Sequence, residues 1–196
     1  LAGHVALVTG GNHGIGAATA TALAARRAAV LITYLVIHDE PDPGIPGTYR
    51  INRARNADDL VSSIEASGGR AHAVEADLGD EATIPMLFDT AEGQFGSPVD
   101  ILINNATSWV QDTFTAEGTD DLGRAMQRVS AATIDQQFSV DARATALLIS
   151  EFAQRHAEAG LTWGRIVGLT SGGPLGFPSE VSYGAAKAAL ENYSMA

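Results

Sequence analysis

The sequence predicts an α/β fold: a doubly wound, mostly parallel sheet with helices on both faces. Two observations carry this. Short apolar stretches alternate with helical ones along the chain, and the first of them runs straight into a glycine-rich turn that opens a helix. Such alternation implies right-handed crossovers and parallel neighbours. Helical-bundle and all-β readings would have to ignore it.

Each element follows from its local pattern. Residues 5–8 read as a buried strand. Residues 14–27 form an Ala-rich helix with Ile15, Ala18, Ala22 and Leu23 on one side. Residues 30–37 are a second strand. Residues 38–55 break the pattern at Pro41, Pro43, Gly44, Pro46 and Gly47, and read as an insertion loop before the next helix. That helix spans 58–67 and stops at Gly68-Gly69. Residues 71–75 are the third strand. Residues 81–95 are helical, with Pro85 limiting the hydrogen bonding of the first turn. Residues 100–104 are the fourth strand. Residues 107–133 are mixed, with a short helix at 122–129. A long helix rich in small residues covers 134–159, a fifth strand 164–170, and a final helix 182–196. No internal repeat is evident, and the chain reads as a single domain over 1–196.

Composition narrows the function. The chain has 196 residues, 45% hydrophobic and 18% charged, enough for a full core. The net charge of -11 argues against nucleic acid, whose phosphates need basic partners, and against an anionic membrane surface. No apolar run reaches the ~20 residues of a membrane span. There is no cysteine, hence no disulfide and no thiolate ligand. With no targeting segment apparent, the expected location is cytoplasmic. The five histidines are scattered, and His38-Asp39-Glu40 with Asp42 reads as an exposed polar loop, so no metal site is expected.

The turn Gly10-Gly-Asn12-His13-Gly14-Ile15-Gly16 joins strand to helix. Glycines there permit a tight turn, close approach of a pyrophosphate and close helix–sheet packing. The free N–H groups of the helix start accept a dinucleotide phosphate without a basic side chain. His13 lies in the turn, where it either approaches a phosphate or is simply solvated. Many such folds end the second strand with an acid that binds the adenosine ribose. Here the strand reads Leu31-Ile-Thr33-Tyr34, with no acid before Asp39. Nothing at Thr33 or Tyr34 would repel a 2′-phosphate, and Arg50, Arg53 and Arg55 follow, either supplying a cation or solvating the insertion. The expected cofactor is NADP, with NAD possible.

At the other end, Tyr183 and Lys187 are four residues apart and share a helix face. A phenol beside a fixed cation is a workable proton donor and acceptor near neutral pH. Ser171 follows an apolar strand and would hydrogen-bond a substrate oxygen. No Gly-x-Ser-x-Gly elbow surrounds it, so a hydrolase is not indicated.

Taken together, Thr9-Gly-Gly-Asn-His-Gly-Ile-Gly16, Ala76-Asp77-Leu78, Asn104-Asn105-Ala106, Ser171 and Tyr183-Gly-Ala-Ala-Lys187 resemble the short-chain dehydrogenase/reductase family, and in particular its 3-oxoacyl-thioester reductase-like members. The resemblance implies a Rossmann-type fold and an NAD(P)(H)-dependent oxidoreductase acting on a carbonyl or alcohol substrate. It implies that Asp77 and Leu78 lie near the adenine, that Asn104, Asn105 and Ala106 lie beside the cofactor, and that Lys187 also holds the nicotinamide ribose. It further implies a homodimer or homotetramer built on the helices at 134–159 and 182–196. Ala142, Ala144, Ala146 and Ala153 would permit close helix contact or face the sheet.

The sequence departs from the family pattern in four ways. Thr107 replaces the usual glycine after Asn-Asn-Ala. Asp141 stands where the long helix usually carries a catalytic Asn, so a carboxylate is expected close to Lys187. Residues 108–133 exceed the usual connection. The family also continues past this length with two more strands and a substrate-covering segment, so those are expected to be absent here. These departures keep open a second reading, a non-catalytic nucleotide-binding protein of the same fold.

Overall fold

A computed structural model describes residues 1–115, 118–171 and 176–196. Five strands form one parallel sheet: β1 (Val5–Thr9), β2 (Ala29–Tyr34), β3 (Arg70–Glu75), β4 (Ile101–Asn104) and β8 (Arg165–Gly168), in the order β3-β2-β1-β4-β8. The order reverses direction at β1, so the crevice beyond its C-terminal end lies between β1 and β4. Open α/β sheets bind ligands at such a switch point.

The pleat of β1 explains the two-sided cover. Val5 and Leu7 join Leu31, Leu102, Phe88, Leu87 and Leu148 on one face. Ala6 and Val8 join Val30, Ile32, Ile101, Ala20 and Ile64 on the other. Successive residues of a strand point to opposite faces, so a continuous apolar run is needed when both are covered. Helices α4 (Thr83–Phe95) and α6 (Thr145–Glu158) cover the first face, and α1 (Gly14–Ala25) and α3 (Asp58–Ala66) the second. Arg155 of α6 ties α4 at Asp89 (2.8 Å) and Glu92 (3.2 Å).

Three parts differ from the sequence expectation. Residues 122–129 are not helical. Instead β7 (Ala125–Arg128) pairs with β5 (Asp112–Thr113) and β6 (Gly118–Thr119) in a small separate sheet. Helical spacing of Leu122 and Val129 was misleading because tertiary pairing overrides weak local propensity. The 38–55 insertion is not all loop, since α2 (Gly47–Arg53) folds inside it, and β2 ends at Tyr34 rather than at residue 37. The long helix starts earlier, as α5 (Ala131–Phe138), and is interrupted by a π-helical segment, Ser139–Ala144, before α6. A capping box between Ser130 and Thr133 sets the early start. The final helix, α7, spans Val181–Met195. No described helix is long and apolar enough to cross a membrane.

Phe88 is fully buried between α4 and the sheet. Phe88→Ala is expected to lower stability by about 3–5 kcal/mol, read by urea denaturation, because the cavity left behind cannot fully close.

Candidate active site

The turn after β1 is held by side chains as much as by glycines. The Thr9 hydroxyl donates to Ile103 O (3.3 Å) and accepts from the N–H groups of Asn105 and Ala106, both at 3.0 Å. Asn105 Nδ2 donates back to Thr9 O and Gly10 O, both at 2.9 Å. Gly10 has φ +63°, and a Cβ there would lie 2.9 Å from Ala106 Cα. A Cβ on Gly16 would lie 2.4 Å from Gly10 O. Both positions therefore demand glycine, one by backbone sign and both by contact.

This brace aims the start of α1 into a cleft of about 670 Å³, a size suited to a small-molecule ligand. His13, the N-cap, makes no side-chain capping bond, and the first turn carries no acid. The orphan N–H groups are thus left for an anion. Of the residues singled out by sequence, Gly10, Asn12, His13, Gly14, Ile15, Tyr34, Asp77, Leu78, Asn105 and Ala106 line the cleft. Gly16 and Asn104 are outside its lining. Gly16 is a packing residue, and Asn104 is 2% exposed with both amide atoms unpartnered. Asn104 thus sits buried at the end of β4.

The far end of β2 bears on cofactor choice. Thr33 is buried and its hydroxyl has no partner. Tyr34 lines the cleft, its phenol raised above the ordinary value by burial and then by Glu75 and Asp58. Of the three arginines, Arg53 alone lines the cleft, and it is paired with Asp39 at 2.7 Å. Asn12 Nδ2 donates to Arg55 O (2.8 Å), tying the glycine turn to the end of α2.

Helix α2 adds a residue that sequence reasoning missed. The Tyr49 ring meets His13 (5.8 Å between centroids) and Trp109 (5.6 Å), with the Arg53 guanidinium 5.5 Å from its centroid. Burial raises the Tyr49 phenol; Arg53 opposes this, while Asp39 and Tyr183 push it further up. Tyr49 itself lines the cleft. The four-residue spacing of Tyr49 and Arg53 was the available signal, a helical pair inside an apparent loop.

At the C-terminal end of the chain described, Tyr183 and Lys187 project from one face of α7, the ammonium 5.5 Å from the Tyr183 ring centroid. Phe177 meets the other ring edge-on at 5.7 Å. Lys187 is 3% exposed and Asp141 fully buried, with Nζ 2.9 Å from Oδ1. That contact is a charge pair rather than an aligned hydrogen bond, since Oδ1 has no hydrogen-bonded partner. Lys187 instead donates to Leu169 O (3.0 Å), and Asp141 Oδ2 accepts from Gln137 Nε2 (2.7 Å) and Ser108 N (3.1 Å). Asp141 lies in the π-helical segment. Ser171 is half-buried shortly after β8, and Gly172, Gly173 and Pro174 beyond it lie outside the described residues. Among the described residues, the cleft lining does not reach Ser171, Tyr183 or Lys187.

Fold, glycine turn and paired Tyr and Lys together point to one class of protein, and comparison bears this out. The family model "short chain dehydrogenase" matches residues 49–196. The chain belongs to the short-chain dehydrogenase/reductase family. It is 32% identical over 195 residues to elsinochrome reductase 1 of Elsinoe fawcettii, covering 98% of this chain and 61% of that protein. It is 31% identical to a 3-oxoacyl-[acyl-carrier-protein] reductase of Synechocystis, covering 99% and 66%. A short chain dehydrogenase of Burkholderia cenocepacia, solved in complex with NADP, superposes with a TM-score of 0.71 at 34% identity, over 98% of this chain and 66% of that one. The chain spans about six-tenths of the length of the curated relatives it matches.

Burial, then Arg53, lowers His13 below its ordinary value of 6.5, so the fold favours the neutral ring. The unfolded chain binds that proton more readily. This contribution is therefore complete above pH ~6.5 and lost as pH falls below it. Thermal melts between pH 5 and 8 are expected to show a shallower acid loss for His13→Gln than for the unsubstituted chain.

Proposed function

We propose that the protein is an oxidoreductase that moves a hydride between NADP(H), or NAD(H), and a carbonyl/alcohol substrate. The observation that carries this reading is the placement of Tyr183 and Lys187 on one face of α7, with the lysine immobilised by Asp141 and Leu169. The dinucleotide supplies the hydride when bound. The residues present fit such a group. Uncapped amides at the start of α1 suit its diphosphate, and the open side of Gly14, where a Cβ would meet nothing within 4 Å, leaves room for it. Gly10, Asn12, His13, Ile15, Asn105 and Ala106 would wall it, with Asp77 and Leu78 at the adenine and Tyr34 at its ribose. The 2′-phosphate of NADP would meet Arg53, which must then be shared with Asp39.

Tyr183 would protonate the substrate oxygen during reduction and take the proton back in the alcohol direction. The Lys187 ammonium beside the ring would stabilise negative charge developing on the Tyr183 oxygen. Ser171 would orient the substrate oxygen, and Lys187 would also hold the nicotinamide ribose. Asp141 acts against the cation by adding a buried anion beside it. That observation favours the second reading, a nucleotide-binding protein without turnover.

The substrate proposed is a ketone of the 3-oxoacyl or a related class, supported by the reductase names among the relatives. A cytoplasmic homodimer or homotetramer belongs to the same reading. Exposed Ile134 and Leu147 on one helical stretch and Tyr193 and Met195 on α7 offer apolar surface for it.

Two measurements test the proposal. Fluorescence titration is expected to give tighter binding of NADPH than NADH, and Tyr183→Phe is expected to retain that binding while ketone reduction falls by about 10²–10⁴-fold. Cofactor binding without turnover over a broad carbonyl panel would establish the second reading instead. Asp141→Asn is expected to alter the pH–rate profile of reduction, since it removes the buried anion beside Lys187. An unchanged profile would make the carboxylate charge irrelevant.

A further inference from the structure

We propose that Asp112 is a positioning residue that sets the place of Tyr183 by capping α7 from a distance. The proposal rests on the reading of Tyr183 as the proton donor. Helix α7 has no side-chain cap of its own. The side chain of its N-cap residue, Glu180, is turned away: its carboxylate takes the Arg124 guanidinium at 2.9 Å and the Trp109 indole N–H at 3.0 Å. The orphan amide of Ser182 is satisfied instead by Asp112 Oδ1 at 2.9 Å, and the Ser182 hydroxyl donates to Asp112 Oδ2 at 2.5 Å. Asp112 is fully buried and Ser182 is 4% exposed. A helix N-terminus left without a partner inside the protein would be costly, so this bidentate cap fixes the first turn.

The carboxylate belongs to β5, which sits on the small sheet through β7. Tyr183 is the next residue after the capped one. Lys187, one turn further along, is anchored separately by Asp141 and Leu169 O. Loosening the Asp112 cap would therefore displace the phenol relative to the ammonium, while leaving the ammonium and the cleft in place. Ångström-scale misplacement of a reacting group costs up to about 10²-fold in rate.

The test uses the whole chain with Asp112→Ala, Asp112→Asn and Ser182→Ala. Amide exchange by NMR reads the cap. Reduction of ethyl acetoacetate, a 3-oxoacyl ester, and of 1-tetralone by NADPH reads the consequence. Asp112→Ala is expected to lose protection of the Ser182 amide and about 10–100-fold in kcat, with KM and NADPH affinity nearly unchanged. Asp112→Asn keeps an acceptor for the amide, and should retain protection and most of kcat. Ser182→Ala removes only the hydroxyl arm and should cost about threefold in kcat, which keeps the test decisive if Asp112→Ala does not fold. Unchanged kcat in a folded Asp112→Ala, or equal loss in Asp112→Asn and Asp112→Ala, would overturn the positioning role alone. Absence of reduction by the unsubstituted chain would sink the catalytic reading and this role with it, whatever the exchange data show.

Discussion

The buried charge pair of Lys187 and Asp141 is the constraint around which the surroundings of Tyr183 are arranged. Removing two charges from water costs several kcal/mol each, and their attraction offsets this only when further hydrogen bonds satisfy them. Here those bonds come from three places, Leu169 after β8, Gln137 in α5 and Ser108 in the loop after β4, while α7 carries the lysine itself. The pair thus obliges four segments to meet at one point. The π-helical segment fits this demand, because such widened turns re-aim a side chain within an otherwise regular helix. Loss of either partner alone would leave an unpaired buried charge, a far larger penalty than any surface ion pair carries.

A second organising feature is the interlock of the two inserted segments. A Cβ on Gly44 would lie 2.4 Å from Arg124 N, so the 38–55 segment and the small sheet are in direct backbone contact. Asp42 Oδ2 accepts from Ala125 N (3.1 Å), and its other oxygen from Gly44 N (2.8 Å). Arg124 then holds Asp120 at 2.6 Å and Glu180 at 2.9 Å, with its guanidinium 5.6 Å from the centre of Trp109. Through Trp109 the same lobe reaches Tyr49 and the cleft. The glycine-turn cleft and the start of α7 are therefore joined by more than the parallel sheet.

What could be read from the sequence divides along physical lines. The sheet was legible because β1, β2 and β4 are buried on both faces and so read as unbroken apolar runs. The glycine turn was legible because Gly10 and Gly16 have no substitute at those distances, and the Tyr183–Lys187 pair because helical spacing fixes their common face. The nearness of Asp141 to Lys187 followed from the family resemblance, but its Gln137 and Ser108 partners did not. The small sheet escaped because its strands are only two to four residues long and find their partners across the chain. Tyr49 escaped because prolines and glycines around α2 outweigh a helix of seven residues. Asp112 escaped for the same reason as any distant cap: its partner lies 70 residues away, and nothing local distinguishes it from an ordinary turn aspartate.

The distribution of charge closes the account of the cleft. A chain with a net charge of -11 repels a dinucleotide at long range, and Arg53 at the mouth is already paired with Asp39. Attraction must then be local. The orphan amides of α1 supply it without a formal charge, and they work best where acids are absent from the first turn, as they are here. The neutral state of His13 is consistent with this, since a second cation beside Arg53 would be repelled until an anion arrives. An acidic protein can thus offer an anion site if the donors are backbone groups held rigid. The Thr9–Asn105 brace provides that rigidity, which is why a hydroxyl and an amide beneath the turn matter as much as the glycines within it.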